Sequence, residues 1–169
     1  QMSIRDAIVT PAQGGSLRLF IQNNPMKIRT VRADTLLFRE IQNNLDSYET
    51  CEQYRNSVME KANRLKKLVY GLKAEGKKIA GYGAAAKGFS ILKLAEIDQR
   101  HLDYFVDDSP AKQGKYTPVS HIPVISRKEA IGKEPDYFFI TAPNYKNAIM
   151  EKERDFKGKF ILEDATICS

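Results

Sequence analysis

The chain has 169 residues, 42% of them hydrophobic and 28% charged, with a formal net charge of +6 at pH 7. That length gives one domain a core of its own and leaves some structure over, and the balance excludes wholesale disorder. No stretch is apolar for long enough to span a bilayer, the first residues do not read as a basic-then-apolar leader, and two distant cysteines with two histidines offer no zinc spacing. A cytoplasmic protein with no membrane partner and no metal is therefore expected.

In chain order, Ser16-Leu17-Arg18-Leu19-Phe20-Ile21 alternates as a strand, with Leu17, Leu19 and Ile21 on one face. Gln13-Gly14-Gly15 reads as the turn before it and Asn23-Asn24-Pro25 as its stop. A single strand buries no face alone. No partner for it is evident, which points to a piece of a longer protein. Helical spacing then runs over 34–75. A short first helix starts near Asp34 or Thr35 and carries Leu36, Leu37 and Ile41. A long second one starts near Glu49, with Tyr54, Val58, Ala62, Leu65, Leu68, Val69 and Leu72 at steps of three and four, and Gly76 stops it. Lys61, Arg64, Lys66, Lys67, Lys73, Lys77 and Lys78 crowd this stretch against Glu75 alone. No stacking motif for RNA is interleaved, so the stripe reads as a solvated helix face and no nucleic-acid partner is expected.

Beyond Gly76 the pattern changes. Short apolar strands are predicted at 78–82, 102–107, 122–125, 136–141 and 159–162, with helices over 85–96 and 145–156. A polar loop fills 108–120, and Ser126-Arg127-Lys128-Glu129 is a capping box that opens a short helix. Strand and helix alternate, so the fold class is α/β: a Rossmann-like parallel sheet with helices on both faces, preceded by a long helical segment and a short N-terminal strand.

The sharpest local signal is Gly81-Tyr82-Gly83-Ala84-Ala85-Ala86, a G-x-G-x-x-A run that leaves a predicted strand and opens a predicted helix. Gly81 serves the tight turn, Gly83 lets a phosphate approach the backbone, and Ala86 lets the helix pack close to the strand. The helix start, with Lys87 and Gly88, favours an anion. Asp107 ends the second strand, where an acid that binds a ribose hydroxyl would sit. Lys112 and Lys115 lie on the following loop within reach of phosphates, with Gln113 beside them. His121 is a ligand contact or a structural loop residue, and Asn144, just past the fourth strand, is a site residue or a helix cap. No serine elbow or Cys–His pair supplies a nucleophile.

Gly81 to Gly88, then Val106-Asp107-Asp108-Ser109-Pro110 with Lys112-Gln113-Gly114, then Ser120-His121-Ile122-Pro123-Val124, together resemble the C-terminal domain of S-adenosylmethionine-dependent sugar C-methyltransferases. Gly14-Gly15-Ser16-Leu17-Arg18 looks like the segment that closes the methyltransferase domain of that family. The resemblance implies that residues 1–30 are the remnant of a methyltransferase domain, 31–76 a helical connector, and 77–169 a domain that anchors a nucleotide-linked sugar. It further implies that S-adenosylmethionine and the proton-abstracting residues belong to the N-terminal domain, so this chain binds without catalysing. Departures from the family pattern are Ala85 in place of Pro, Gln13 in place of His and Val119 in place of Gly; the last narrows its loop. Two other readings fit the glycine turn or the long helix: a nicotinamide-binding oxidoreductase domain and a non-enzymatic interaction module.

Overall fold

The strand read at 16–21 has its partner immediately upstream. In the computed structural model, which describes residues 2–23 and 28–169, β1 (Met2–Thr10) pairs antiparallel with β2 (Ser16–Asn23) across a 3-10 turn at Ala12–Gly14. This corrects the expectation of an unpartnered strand. A register shift between Ile4 and Asp6 explains why β1 is hard to read: the bulge changes the phase of its in–out alternation. Leu17, Leu19 and Ile21 are exposed on β2. The stop expected at Asn24-Pro25 lies outside the described residues.

The chain divides into two units, Gln1–Asn56 and Ser57–Ser169. In the first, α1 (Val31–Gln42) starts a few residues earlier than its apolar spacing suggests, because Thr30 caps it by accepting from the Ala33 N–H. Thr30 also ties α1 to the hairpin. Its N–H donates to the Arg5 carbonyl at 2.8 Å and its hydroxyl to Asp6 Oδ1 at 2.6 Å, while Arg32 forms an ion pair with Asp6. Hydrogen bonds from Arg32 and then Thr30 hold the Asp6 carboxyl well below the usual carboxylate range. The long helix α2 (Tyr48–Ala74) begins here, with the Thr50 N–H on Ser47 Oγ, and the division between the units falls within it.

The second unit holds a six-stranded sheet made of β3 (Ile79–Tyr82), β4 (Phe105–Val106), β5 (Val124–Ile125), β6 (Tyr137–Ile140), β7 (Lys159–Ile161) and β8 (Ile167–Cys168). Their spatial order is β5-β4-β3-β6-β7-β8, parallel throughout except for β8. From β3 the chain adds β4 and β5 to one side, then crosses back to add β6, β7 and β8 to the other. Three helices alternate with these strands: α3 (Ala86–Leu94), α4 (Arg127–Ala130) and α5 (Lys146–Lys152), with a 3-10 turn, Pro143–Tyr145, before α5. The capping box of α4 is formed as its sequence predicts, with Ser126 and Glu129 each accepting from the other's N–H.

Alternation along the short strands sends successive side chains to opposite faces. Ile79, Phe105, Val124, Phe139 and Ile161 pack with Leu65, Val69 and Leu72 of α2 and Leu92 of α3. Ala80, Val106, Phe138, Ile140 and Phe160 pack with Ala130 of α4 and Ile149 of α5. Each fully buried Phe, Leu or Ile contributes about 1.5–3 kcal/mol by leaving water, which is how strands of two to four residues hold their places.

The structure differs from the sequence reading in four further places. Only Phe105–Val106 of the 102–107 run and Val124–Ile125 of the 122–125 run pair as strands. The connection between them, 107–123, contains no helix, in agreement with the polar loop read over 108–120. α5 stops at Lys152, and Phe156 turns in to pack against Phe138, the tilted rings 4.6 Å apart. β8 is an additional antiparallel edge, folded back by an Asp164 side chain that accepts from the Thr166 N–H at 3.0 Å. The basic stretch on α2 finds acids from outside itself: Lys66 pairs with Glu96 at 2.7 Å and Lys73 with Asp103 at 3.6 Å.

Candidate functional site

The run from β3 to α3 contains three glycines, and each is there for a different reason. Gly83 has a φ of +79°, the left-handed region, and a Cβ on it would sit 3.0 Å from that of Ala142. A Cβ on Gly81 would fall 2.2 Å from the buried Phe105 ring. A Cβ on Gly88 would fall 2.2 Å from Thr141 Cβ. Close packing of helix on strand is therefore the work of Gly88. Ala86, assigned that role from sequence, is exposed.

Asp107 is buried behind this turn, and its charge is fully engaged. Oδ2 accepts from the Ala84 N–H at 2.8 Å and from Lys112 Nζ at 2.9 Å, and Oδ1 accepts from the Ser109 N–H at 2.9 Å. Lys112 Nζ also donates to the Ala84 carbonyl, and Gln113 Nε2 to the Asp107 carbonyl, both at 2.9 Å. A buried carboxylate is tolerable only when paired in this way. The outcome is a loop, 107–113, clamped onto the glycine turn.

Beside that clamp lies a cavity of about 500 Å³. It opens at the carboxyl ends of β3, β4 and β6, where the strand order reverses. One wall comes from Tyr82, Gly83 and Ala85 and from Asp107, Asp108, Ser109 and Lys112; the other comes from Ala142, Tyr145, Ala148, Ile149 and Lys152. A second cavity, about 340 Å³, adjoins it through Ala85 and Lys112 and is lined further by Ala84, Phe89, Lys115, Tyr116 and Thr117. The positive end of α3 faces this region, and the first turn of a helix leaves N–H groups with no acceptor inside the helix.

Of the residues singled out from sequence, Tyr82, Gly83, Asp107 and Lys112 meet at the larger of these two cavities, and Ala84 and Lys115, with Lys112 again, at the smaller. Gly81 and Gly88 are buried beneath them, Gln113 braces Asp107, and Lys87 is exposed on the first turn of α3. His121 is exposed, has a φ of +50° and lines neither cavity. Asn144 is exposed in the 3-10 turn and caps nothing; its neighbour Tyr145 lines the cavity instead. Sequence reasoning missed Tyr145 and Lys152. The available signal was the spacing 145, 148, 149, 152, one helical face directly after the strand that borders the reversal.

A further cavity, about 570 Å³, lies beside α4 and α5. Its charges close on one another: Arg127 pairs with Glu153 at 2.9 Å and with Glu134 at 3.1 Å, and the Tyr82 hydroxyl donates to Glu153 at 2.9 Å. Burial, then the Glu153 carboxylate, pushes the Tyr82 hydroxyl well above its ordinary value. These groups brace α4 and α5 against β3. Among the described residues no cluster of His, Cys, Asp or Glu is placed to hold a metal, and no helix is long and apolar enough to cross a membrane.

A mostly parallel sheet with helices on both faces and a cleft where its strand order reverses defines a class, the open α/β domains. Within that class the chain belongs to the C-methyltransferase C-terminal domain family, whose model matches residues 11–163. It is also 37% identical over 102 residues to the C-methyltransferase NovU of Streptomyces niveus, a match that covers 59% of this chain and 24% of that relative. The match thus spans about a quarter of the length of that curated relative.

Proposed function

We propose that the Ser57–Ser169 unit is a Rossmann-like substrate-holding domain that grips the diphosphate of a nucleotide-linked sugar between the glycine turn and α5. The observation that carries this reading is the position of the cavity, about 500 Å³ at the reversal of strand order and next to the start of α3. Gly81 and Gly88 let strand and helix lie close; the N–H groups of Gly83, Ala84 and Ala85 are taken by the Val106 carbonyl, Asp107 and the Gly83 carbonyl, so the start of α3 from Ala86 onward is what meets the phosphate. Tyr82, Ala84 and Lys87 flank that edge, while Asp107, Lys112 and Gln113 hold the neighbouring loop in place. In this reading the unit binds and positions the substrate.

In the whole protein, a preceding domain would supply S-adenosylmethionine. The two lysines of the cavity are each paired with an aspartate, Lys112 with Asp107 and Lys152 with Asp108, and the start of α3 adds a partial positive charge that favours an anion. The hairpin of β1 and β2, with Leu17, Leu19 and Ile21 exposed, would complete the sheet of that domain, and residues 31–76 would connect it to 77–169. Binding energy from the nucleotide would then hold the sugar carbon beside the methyl donor. A nicotinamide-dependent reading gains nothing from the family match, and Asp107, the acid it would use for the ribose, is already satisfied within the chain.

Calorimetric titration of the chain with UDP, dTDP and their sugar conjugates tests this. Saturable binding is expected, with Gly83→Leu weakening it about tenfold or more while a cooperative melt persists. A folded chain that binds none of them at millimolar concentration, or a Gly83→Leu variant that binds as well as the parent, overturns the proposal.

A further inference from the structure

The residues that α5 and the turn before it bring to the cavity are Tyr145, Ala148, Ile149 and Lys152. Their spacing of three, four and seven is a single helix face. An aromatic ring stands at one end of that face and an ammonium group at the other, two turns or roughly 10 Å apart along the axis, with the small Ala148 between them.

The two lysines of the cavity are held very differently. Lys112 is fixed by the fold: its Nζ is shared between the Ala84 carbonyl and the buried Asp107 carboxylate. Lys152 spans the cavity from the opposite wall and meets Asp108 Oδ1 at 2.6 Å. Both of those side chains are open to solvent, 45% for Lys152 and 66% for Asp108. An exposed pair of this kind adds little stability and exchanges partners readily. Asp108 is the partner the structure gives Lys152, and both residues line the cavity.

Resting on the reading that this cavity takes phosphate, we infer that Lys152 is its ligand-contacting cation and that Asp108 sets the charge a ligand needs in order to bind. A diphosphate, carrying several negative charges, outcompetes a single carboxylate for the ammonium group and meets less repulsion once Lys152 has swung toward it. A ligand with one negative charge gains no such advantage. Tyr145, on the same face, offers its ring to whatever the diphosphate carries.

The test uses the whole chain and four probes: ADP, UDP, dTDP and inorganic diphosphate, with UMP as the comparison of lower charge. Asp108→Asn is expected to tighten diphosphate binding about two- to fivefold at low salt, the range set by the strength of an exposed ion pair. It should narrow the preference for UDP over UMP. Lys152→Met is expected to weaken diphosphate binding about tenfold, flatten its salt dependence, and shrink the gain from Asp108→Asn in the double variant. Since both residues are exposed, all three variants should melt within a few degrees of the parent. If the parent binds diphosphates and both single variants match it, the inference fails while the site reading stands. If the folded parent binds no probe, both fail.

Discussion

Gly88→Ala separates the packing account from a simple helix-propensity argument, because the two predict opposite signs. Gly88 lies inside α3, where alanine is normally better by about 1 kcal/mol. Yet the new Cβ would fall 2.2 Å from Thr141 Cβ and 2.9 Å from the Thr141 carbonyl oxygen. Thr141 has no freedom to withdraw. It is 1% exposed, its N–H donates to the Tyr82 carbonyl at 3.1 Å, and its hydroxyl donates to the Gly83 carbonyl. An overlap of that size against fixed groups belongs at the upper end of overpacking costs, about 3 kcal/mol. The net effect is a loss of about 2 kcal/mol, which lowers the melting temperature by roughly 6–10 °C for a unit of this size. Thermal unfolding followed by circular dichroism measures it, and Thr141→Gly, which removes the opposing Cβ, should recover part of the loss in the double variant. A Gly88→Ala protein that melts above the parent would refute the reasoning.

Three other expectations follow from single sites. Val119 is a β-branched residue at a φ of +68° with 70% of its surface exposed, so Val119→Gly relieves strain without removing packing and should stabilise by about 1 kcal/mol; a lower melting temperature would contradict this. Tyr82→Phe removes a buried hydrogen bond to a Glu153 that keeps Arg127, and should cost about 1–2 kcal/mol in urea unfolding, with an unchanged midpoint as the contrary result. Arg100 lowers the Asp98 carboxyl to about 2 from 3.8. Its folded pKa is below its unfolded one, so its contribution is present above about pH 4 and is lost as the pH falls toward 2. Asp98→Asn should flatten the acid side of the stability profile across that window, and an unaltered slope would remove Asp98 from the account.

Sheet and turn were legible because their causes are local. A near-continuous apolar strand such as 137–140, a capping box at Ser126 and a glycine at a strand–helix junction each announce themselves within a few residues. What failed to show was set by distant partners or by disrupted periodicity. The bulge between Ile4 and Asp6 hid β1, and β8 is a two-residue edge that exists because β7 is there to pair with it. Gly88 rather than Ala86 carries the helix–strand contact because Thr141, 53 positions on, lies against it. At the candidate site the wall built from the glycine turn was readable, while the wall built from α5 was not, since only the crossing of the chain back past β3 brings Lys152 to Asp108. Val119, where the resembled family carries glycine, marks a backbone conformation that glycine adopts without strain.

The start of α3 and the cavity beside it are proposed to receive a diphosphate. Amide chemical shifts recorded while the chain is titrated with UDP or dTDP test it most directly. Saturable shifts concentrated at residues 83–87, 107–112 and 145–152 are predicted. Shifts confined to the surface around Arg127 and Lys157, or to the hairpin of β1 and β2, with those three segments unmoved, would contradict it.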